Sequence, residues 1–258
     1  MKWIASLLVA LLVLTSCSGR TERDGVERNA LTSVTCDALM SSSKRRRAIL
    51  TSNGLSNEGI RQEFVRLVKL RTDPGKARVV YVPDALVADG YTFSKALVDE
   101  FRRSLRGTGV VASNVASVEL ASSTKEEVQV ALEGADVVYV ECGNTFFLHY
   151  HMVQKDFKAL LDPLLDQGVV YVGSSAGSIA AGKTASIATW KGWDDPTVVP
   201  KIPYEGLAVL GDKSFFPHYN PQWKSLVESK RPTLDHEVIT LTDNQCYSSD
   251  ESGERLRG

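Results

Sequence analysis

The run Gly168-Val-Val-Tyr-Val-Gly-Ser-Ser-Ala-Gly-Ser178 constrains the fold more than any other stretch. Residues 169–172 are four consecutive apolar residues, with no polar alternate to face water. Such a strand has to be covered on both faces, as in parallel sheets. Gly173-Ser174-Ser175-Ala176-Gly177 then forms a G-x-S-x-G pattern, and a helical run over 178–183 follows. Strand, sharp turn and helix are the context of a nucleophile elbow. There, small residues let strand and helix pass closely. The Ser175 hydroxyl projects above the sheet, and the Ala176 N–H points toward a developing oxyanion. An ordinary tight strand-to-helix turn would show the same pattern.

Strand-like and helix-like segments alternate around this run. Strands are expected at 48–51, 77–82, 109–112, 136–140 and 169–172. Helices are expected at 57–70, 94–105, 125–132 and, as one long element, 146–165. The pattern loosens over 184–204, then resumes as a strand at 207–216, a helix at 222–229 and a strand at 237–241. The rhythm predicts an α/β fold, a three-layer sandwich around a mostly parallel sheet. The active site of such a sheet lies outside the carboxyl ends of its strands.

The 258 residues suit one such domain, and the net charge of −1 gives no electrostatic case for binding nucleic acid. Residues 1–17 read as an export signal: Lys2, then an apolar run from Trp3 to Leu14, then Leu14-Thr-Ser-Cys17, which resembles a lipobox. That predicts lipidation at Cys17 and anchoring in the cell envelope, with no membrane contact except through the lipid. A start at Met40 would instead make a cytoplasmic protein. Residues 18–43 read as a polar tether and 44–258 as the hydrolytic domain. Cys17, Cys36, Cys142 and Cys246 are too few and too scattered for a disulfide framework or a zinc site. No metal or organic cofactor is required.

A serine hydroxyl needs a base. His149 and His151 are two apart on a helix and point to different faces, which suits packing better than chemistry. His236 follows Asp235 in a polar stretch and is expected on the surface. His218 ends the apolar run Ser214-Phe-Phe-Pro-His-Tyr219, on the same rim as Ser175. It is the expected base, and Asp243, just past the next strand, the expected acid. Glu141-Cys142-Gly143-Asn144-Thr145 closes the fourth strand, and the helix behind it would present free N–H groups. Gly143 allows close backbone approach. Asn144 could donate to an oxyanion or cap the helix. In Trp190-Lys-Gly-Trp-Asp-Asp-Pro196, Trp193 suits a substrate wall, and Asp194 and Asp195 suit an anchor for a free α-amino group. A loop packed by its own aromatics would look the same.

Cys142-Gly-Asn-Thr-Phe146, Gly173-Ser-Ser-Ala-Gly177 and Phe216-Pro-His-Tyr219, in that order, resemble the peptidase E family. Leu50-Thr-Ser-Asn-Gly54 is similar to that family's opening strand and turn. These are alpha-aspartyl dipeptidases, related to cyanophycinases and built on the class I glutamine amidotransferase-like (flavodoxin-like) fold. The resemblance implies Ser175 as nucleophile, His218 as base, Asp243 in the acid position and Gly143 on the oxyanion loop. It implies small peptide substrates with an N-terminal aspartate. The chain is expected to act as a monomer or homodimer. Glu141 and Cys142 stand where the family has glycines. Asn220-Pro-Gln-Trp-Lys224 replaces an arginine-containing segment. A hydrolase of β-aspartyl peptides, or a peptide-binding envelope protein, are the alternatives.

Overall fold

The computed structural model describes residues 45–258. Strands β1 (Ala48–Thr51), β2 (Val79–Val82), β3 (Val115–Ser117), β4 (Val137–Val140) and β5 (Val170–Ser174) pair in parallel. Every residue of β1, β2, β4 and β5 is buried. These short apolar strands cannot be satisfied by one covered face, so helices lie on both. α1 (Glu58–Lys69) and α3 (Lys95–Ser104) pack Phe64, Leu67 and Phe101 against Ile49, Tyr81 and Val172. α4 (Lys125–Leu132), α5 (Thr145–Gln154), α6 (Phe157–Asp166) and α7 (Ala176–Ala180) cover Leu50, Val138 and Tyr171 on the other face. The short α2 (Asp84–Ala88) follows β2. The result is an α/β sandwich of three layers.

The sheet runs β3-β2-β4-β5-β1-β8-β9. β8 (Cys246–Asp250) and β9 (Gly253–Arg257) form an antiparallel hairpin on the β1 edge. β6 (Lys213–Phe216) and β7 (Glu237–Thr240) make a separate two-stranded parallel ribbon, with α8 (Lys224–Lys230) in the connection between them.

Three expected elements differ. The third strand lies at Val115–Ser117 rather than 109–112, because Gly109 is left-handed (φ 85°) and 112–114 is a 3-10 turn. The expected long helix is two, broken where Asp156 adopts φ 51°. Only Lys213–Phe216 of the expected 207–216 strand pairs, since Ala208 and Gly211 turn the chain before it. The β8–β9 hairpin was not expected. The expected signal, the Cys17 anchor, the tether and Met40 lie outside the described residues.

At the β5–α7 crossing the backbones nearly touch. A Cβ on Gly177 would sit 2.3 Å from the Val140 carbonyl oxygen, and one on Gly173 would sit 2.8 Å from the Gly177 backbone. Gly177→Ala is therefore expected to destabilise the fold by roughly 1–3 kcal/mol, as overpacking against backbone does. Urea denaturation of the variant beside wild type measures this.

Candidate active site

After β5, Ser175 turns the chain at φ 46° and ψ −102°, and α7 begins at once. Few non-glycine residues hold such a conformation without support. The Ser175 N–H donates to the Thr51 carbonyl at 2.9 Å. Ser178 Oγ accepts the Thr51 N–H at 2.9 Å and lies 2.7 and 2.8 Å from the Thr51 and Gly173 carbonyl oxygens. Tyr171 Oη donates to the Gly177 carbonyl at 2.8 Å. The turn is thus bolted to β1 and β5 on both sides. Ala176 opens α7, so its N–H has no intrahelical acceptor.

The ribbon brings the other two groups in. β6 and β7 run parallel with Phe216 opposite Thr240, so the segments that follow them emerge side by side. Leu241 N–H donates to Phe216 O at 3.0 Å, and Tyr219 N–H to Leu241 O at 2.8 Å. His218, two residues past β6, faces Asp243, three past β7. Its Nδ1 is 2.7 Å from Asp243 Oδ1, and its Nε2 is 2.9 Å from Ser175 Oγ. A carboxylate only accepts, so Nδ1 carries the proton and Nε2 accepts from the serine. Ser52, at the end of β1, ties these segments to the sheet. Its Oγ accepts the His218 N–H at 2.9 Å and donates to the Leu241 carbonyl at 3.1 Å.

Gly143 lines the same cleft of ≈ 720 Å³ as Ser175 and His218. It sits at φ 121°, and a Cβ there would be 2.3 Å from the Ala85 carbonyl oxygen, so no other residue fits. Asn144 is 4% exposed and acts as a cap. Its Oδ1 accepts the Phe146 and Phe147 N–H groups, each at 3.0 Å, and its Nδ2 donates to Asp195 O at 3.1 Å. The side chain is committed to the α5 start. Glu141 accepts the Tyr81 hydroxyl at 3.2 Å and the Cys142 N–H at 2.9 Å. Burial first, then Glu141, pushes the Cys142 thiol up to about 12, which keeps it neutral.

Trp193 is 59% exposed, and its ring lies 5.8 Å from that of His218. Asp194 lines the cleft while accepting the Thr145 N–H at 2.8 Å. The Asp195 carboxylate instead caps the following 3-10 turn, accepting the Thr197 N–H at 2.8 Å and its hydroxyl at 2.7 Å. His149 is buried, bonded to Pro203 O at 2.9 Å. His236 corrects the expectation of a surface residue. Its side chain is only 3% exposed, held between Ser214 and Asp235, each at 2.8 Å.

Three residues of the site carry no local signal of their place in it. Ser52 lies inside the Leu50–Gly54 motif, and its ties to His218 and Leu241 form only in the folded chain. Thr145 Oγ1 is buried, has no partner and borders a small side pocket with Ser175 and His218. Lys191, inside the tryptophan loop, donates to the Pro217 carbonyl at 2.6 Å.

A serine–histidine pair at the carboxyl rim of a doubly covered α/β sheet is the layout of a serine hydrolase. The model of peptidase family S51 matches residues 48–253, so the chain belongs to that family, the family of peptidase E, and is a serine-type peptidase. An uncharacterized peptidase of Listeria innocua is 23% identical over 186 residues, 68% of this chain and 85% of its own. One from Listeria monocytogenes is 27% identical over 142 residues, 55% of this chain and 65% of its own. A crystal structure of a Listeria monocytogenes protein assigned to peptidase E superposes with a TM-score of 0.62 at 20% identity, covering 82% of this chain and 98% of that one. A peptidase from an acI-B1 actinobacterium gives 0.57 at 13% identity, covering 85% and 90%. Both structures share the fold.

Asn144→Ala removes a helix cap and is expected to cost roughly 0.5–2 kcal/mol. Asn144→Asp keeps the acceptor and should recover most of it. Thermal unfolding of the two variants beside wild type checks the order.

Proposed function

We propose that Ser175, His218 and Asp243 act as a catalytic triad that hydrolyses dipeptides or short peptides through an acyl-enzyme. The observation that carries this is the continuous hydrogen-bonded chain from Ser175 Oγ through the imidazole to Asp243. Ser175 Oγ attacks the scissile carbonyl carbon as its proton passes to His218 Nε2. Asp243 holds the Nδ1 proton and stabilises the imidazolium. The N–H groups of Ala176 and Gly143 receive the oxyanion, a contribution of about 2.7–4 kcal/mol per donor in comparable sites. His218 then returns its proton to the leaving amine as the C–N bond breaks. Water, deprotonated by His218, attacks the ester, and Ser175 leaves with a proton.

In this reading Trp193 is a wall beside the reacting atoms, and the carboxylate of Asp194, which lines the cleft, takes a free α-amino group. The preference for an N-terminal aspartate rests on kinship with peptidase E. Asp243 is 58% exposed, so solvent screens it and it contributes less than a buried triad acid.

The test is hydrolysis of Asp-X, β-Asp-X, Glu-X and neutral dipeptides. On whichever substrate wild type cleaves, Ser175→Ala and His218→Ala are each expected to lower kcat by about 10⁴-fold or more, and the double variant by little beyond either alone. Asp243→Asn should cost less than the ~10⁴ seen for a buried acid. Undiminished cleavage by Ser175→Ala would end this reading. Cleavage confined to β-Asp-X would keep the triad and replace the substrate.

A further inference from the structure

Lys191 joins the loop after α7 to the turn that carries His218. Its Nζ donates to the Pro217 carbonyl at 2.6 Å and to the His218 carbonyl at 3.2 Å. The same ammonium lies 4.0 Å from the ring centre of Trp193, 4.4 Å from that of Phe216 and 5.4 Å from that of Trp223. Those contacts place a cation between two carbonyl dipoles and a three-ring aromatic wall.

We propose that Lys191 is a positioning residue for His218. Its ammonium grips the carbonyls on either side of the His218 N–Cα unit, fixes that residue in its left-handed conformation, and so aims the imidazole at Ser175. The proposal rests on His218 serving as the base.

The backbone supplies the reason a grip is needed. His218 has φ 53°, a region that a non-glycine residue holds only when its surroundings insist. Ser52 holds the N–H side of the residue, at 2.9 Å. Lys191 holds the carbonyl side. β6 ends at Phe216, and the ribbon pairing takes up again at Tyr219, whose N–H donates to Leu241 O at 2.8 Å, so Pro217 and His218 lie between the two held points. A neutral apolar side chain at 191 would leave both carbonyls without this donor and would release Trp193 from its place against the imidazole.

The charged groups acting on the ammonium are Asp243, beyond β7, and Asp194, on its own loop. His218, beyond β6, is the third titratable group at this point, and the three rings are neutral. Burial outweighs the carboxylates and lowers the Lys191 amine to about 8. A lowered amine loses its proton as pH rises through that value, so the charged grip is present below pH 8 and fades above it.

The experiment uses the full chain and a small fluorophosphonate, whose reaction with Ser175 requires no knowledge of the substrate. Concentration dependence separates reagent affinity from the limiting inactivation rate. K191M is expected to lose roughly ten- to a hundredfold in the limiting rate, the scale of a misplaced group, with affinity nearly unchanged. K191R keeps a cation and its donors, and should restore most of the rate. The wild-type rate should fall above about pH 8, whereas that of K191R should stay level. Proton NMR of the His218 Nδ1–H, whose resonance shifts downfield when it bonds to a carboxylate, is the second readout. It should be sharp in wild type and K191R, and broadened or lost in K191M. A folded K191M with an unchanged limiting rate and resonance overturns the role. Should K191M not fold, an alkaline fall shared by wild type and K191R overturns it. If wild type itself resists the reagent, the nucleophile reading fails, and the NMR comparison alone decides on Lys191.

Discussion

Ser175 sits at φ 46° and ψ −102°, and a backbone of that kind costs a non-glycine residue on the order of 1–3 kcal/mol. The strain persists because the strand before it and the helix after it cannot separate. Gly173 and Gly177 allow the crossing, Val140 closes it from the next strand, and Ser178 cross-links it to Thr51. Every other part of the site is placed relative to that fixed hydroxyl. A side chain at either glycine would push the elbow off the sheet, and the Ser175–His218 distance would change with it.

His218 and Asp243 have a different origin. Both come from a ribbon that is not part of the main sheet, and parallel pairing is what makes it useful. An antiparallel pair would send the residues after its two strands to opposite ends. The parallel register of Phe216 with Thr240 puts His218 and Asp243 at one end, 2.7 Å apart. Ser52 then couples the ribbon to β1 with one hydroxyl, and Lys191 grips the same turn from the other side. Ser175, His218 and Asp243 are therefore held together by a sheet, a ribbon and two polar ties.

The loop after β4 shows how altered residues can be absorbed. Glu141 is anchored by Tyr81 and by the Cys142 N–H. The Cys142 thiol stays protonated. Gly143 keeps the backbone freedom that close approach requires. Asn144 is fully occupied as a helix cap, its Oδ1 accepting two N–H groups of the first turn of α5.

The amino-acid order determined the features that depend on local chemistry. Buried strands show as unbroken apolar runs, α1 as a periodic stripe of Ile60, Phe64, Leu67 and Val68, and the elbow as small residues at fixed spacing around a serine. Ser175, His218, Asp243 and Gly143 could be picked out because each sits at the end of such an element. Other features depend on partners far along the chain. β8 is buried yet reads Cys-Tyr-Ser-Ser-Asp, because Glu63 and Arg66 of α1 satisfy Ser248 and Asp250 at 2.6 Å each. The break at Asp156 goes with its pairing to Lys125 at 2.9 Å, and His236 is covered through Ser214. The roles of Ser52 and Lys191 depend on a turn more than 20 residues away in sequence. Local spacing carries propensity and strain. Hydrogen bonds between distant segments exist only once the chain has closed on itself, and those were decided by the tertiary structure alone.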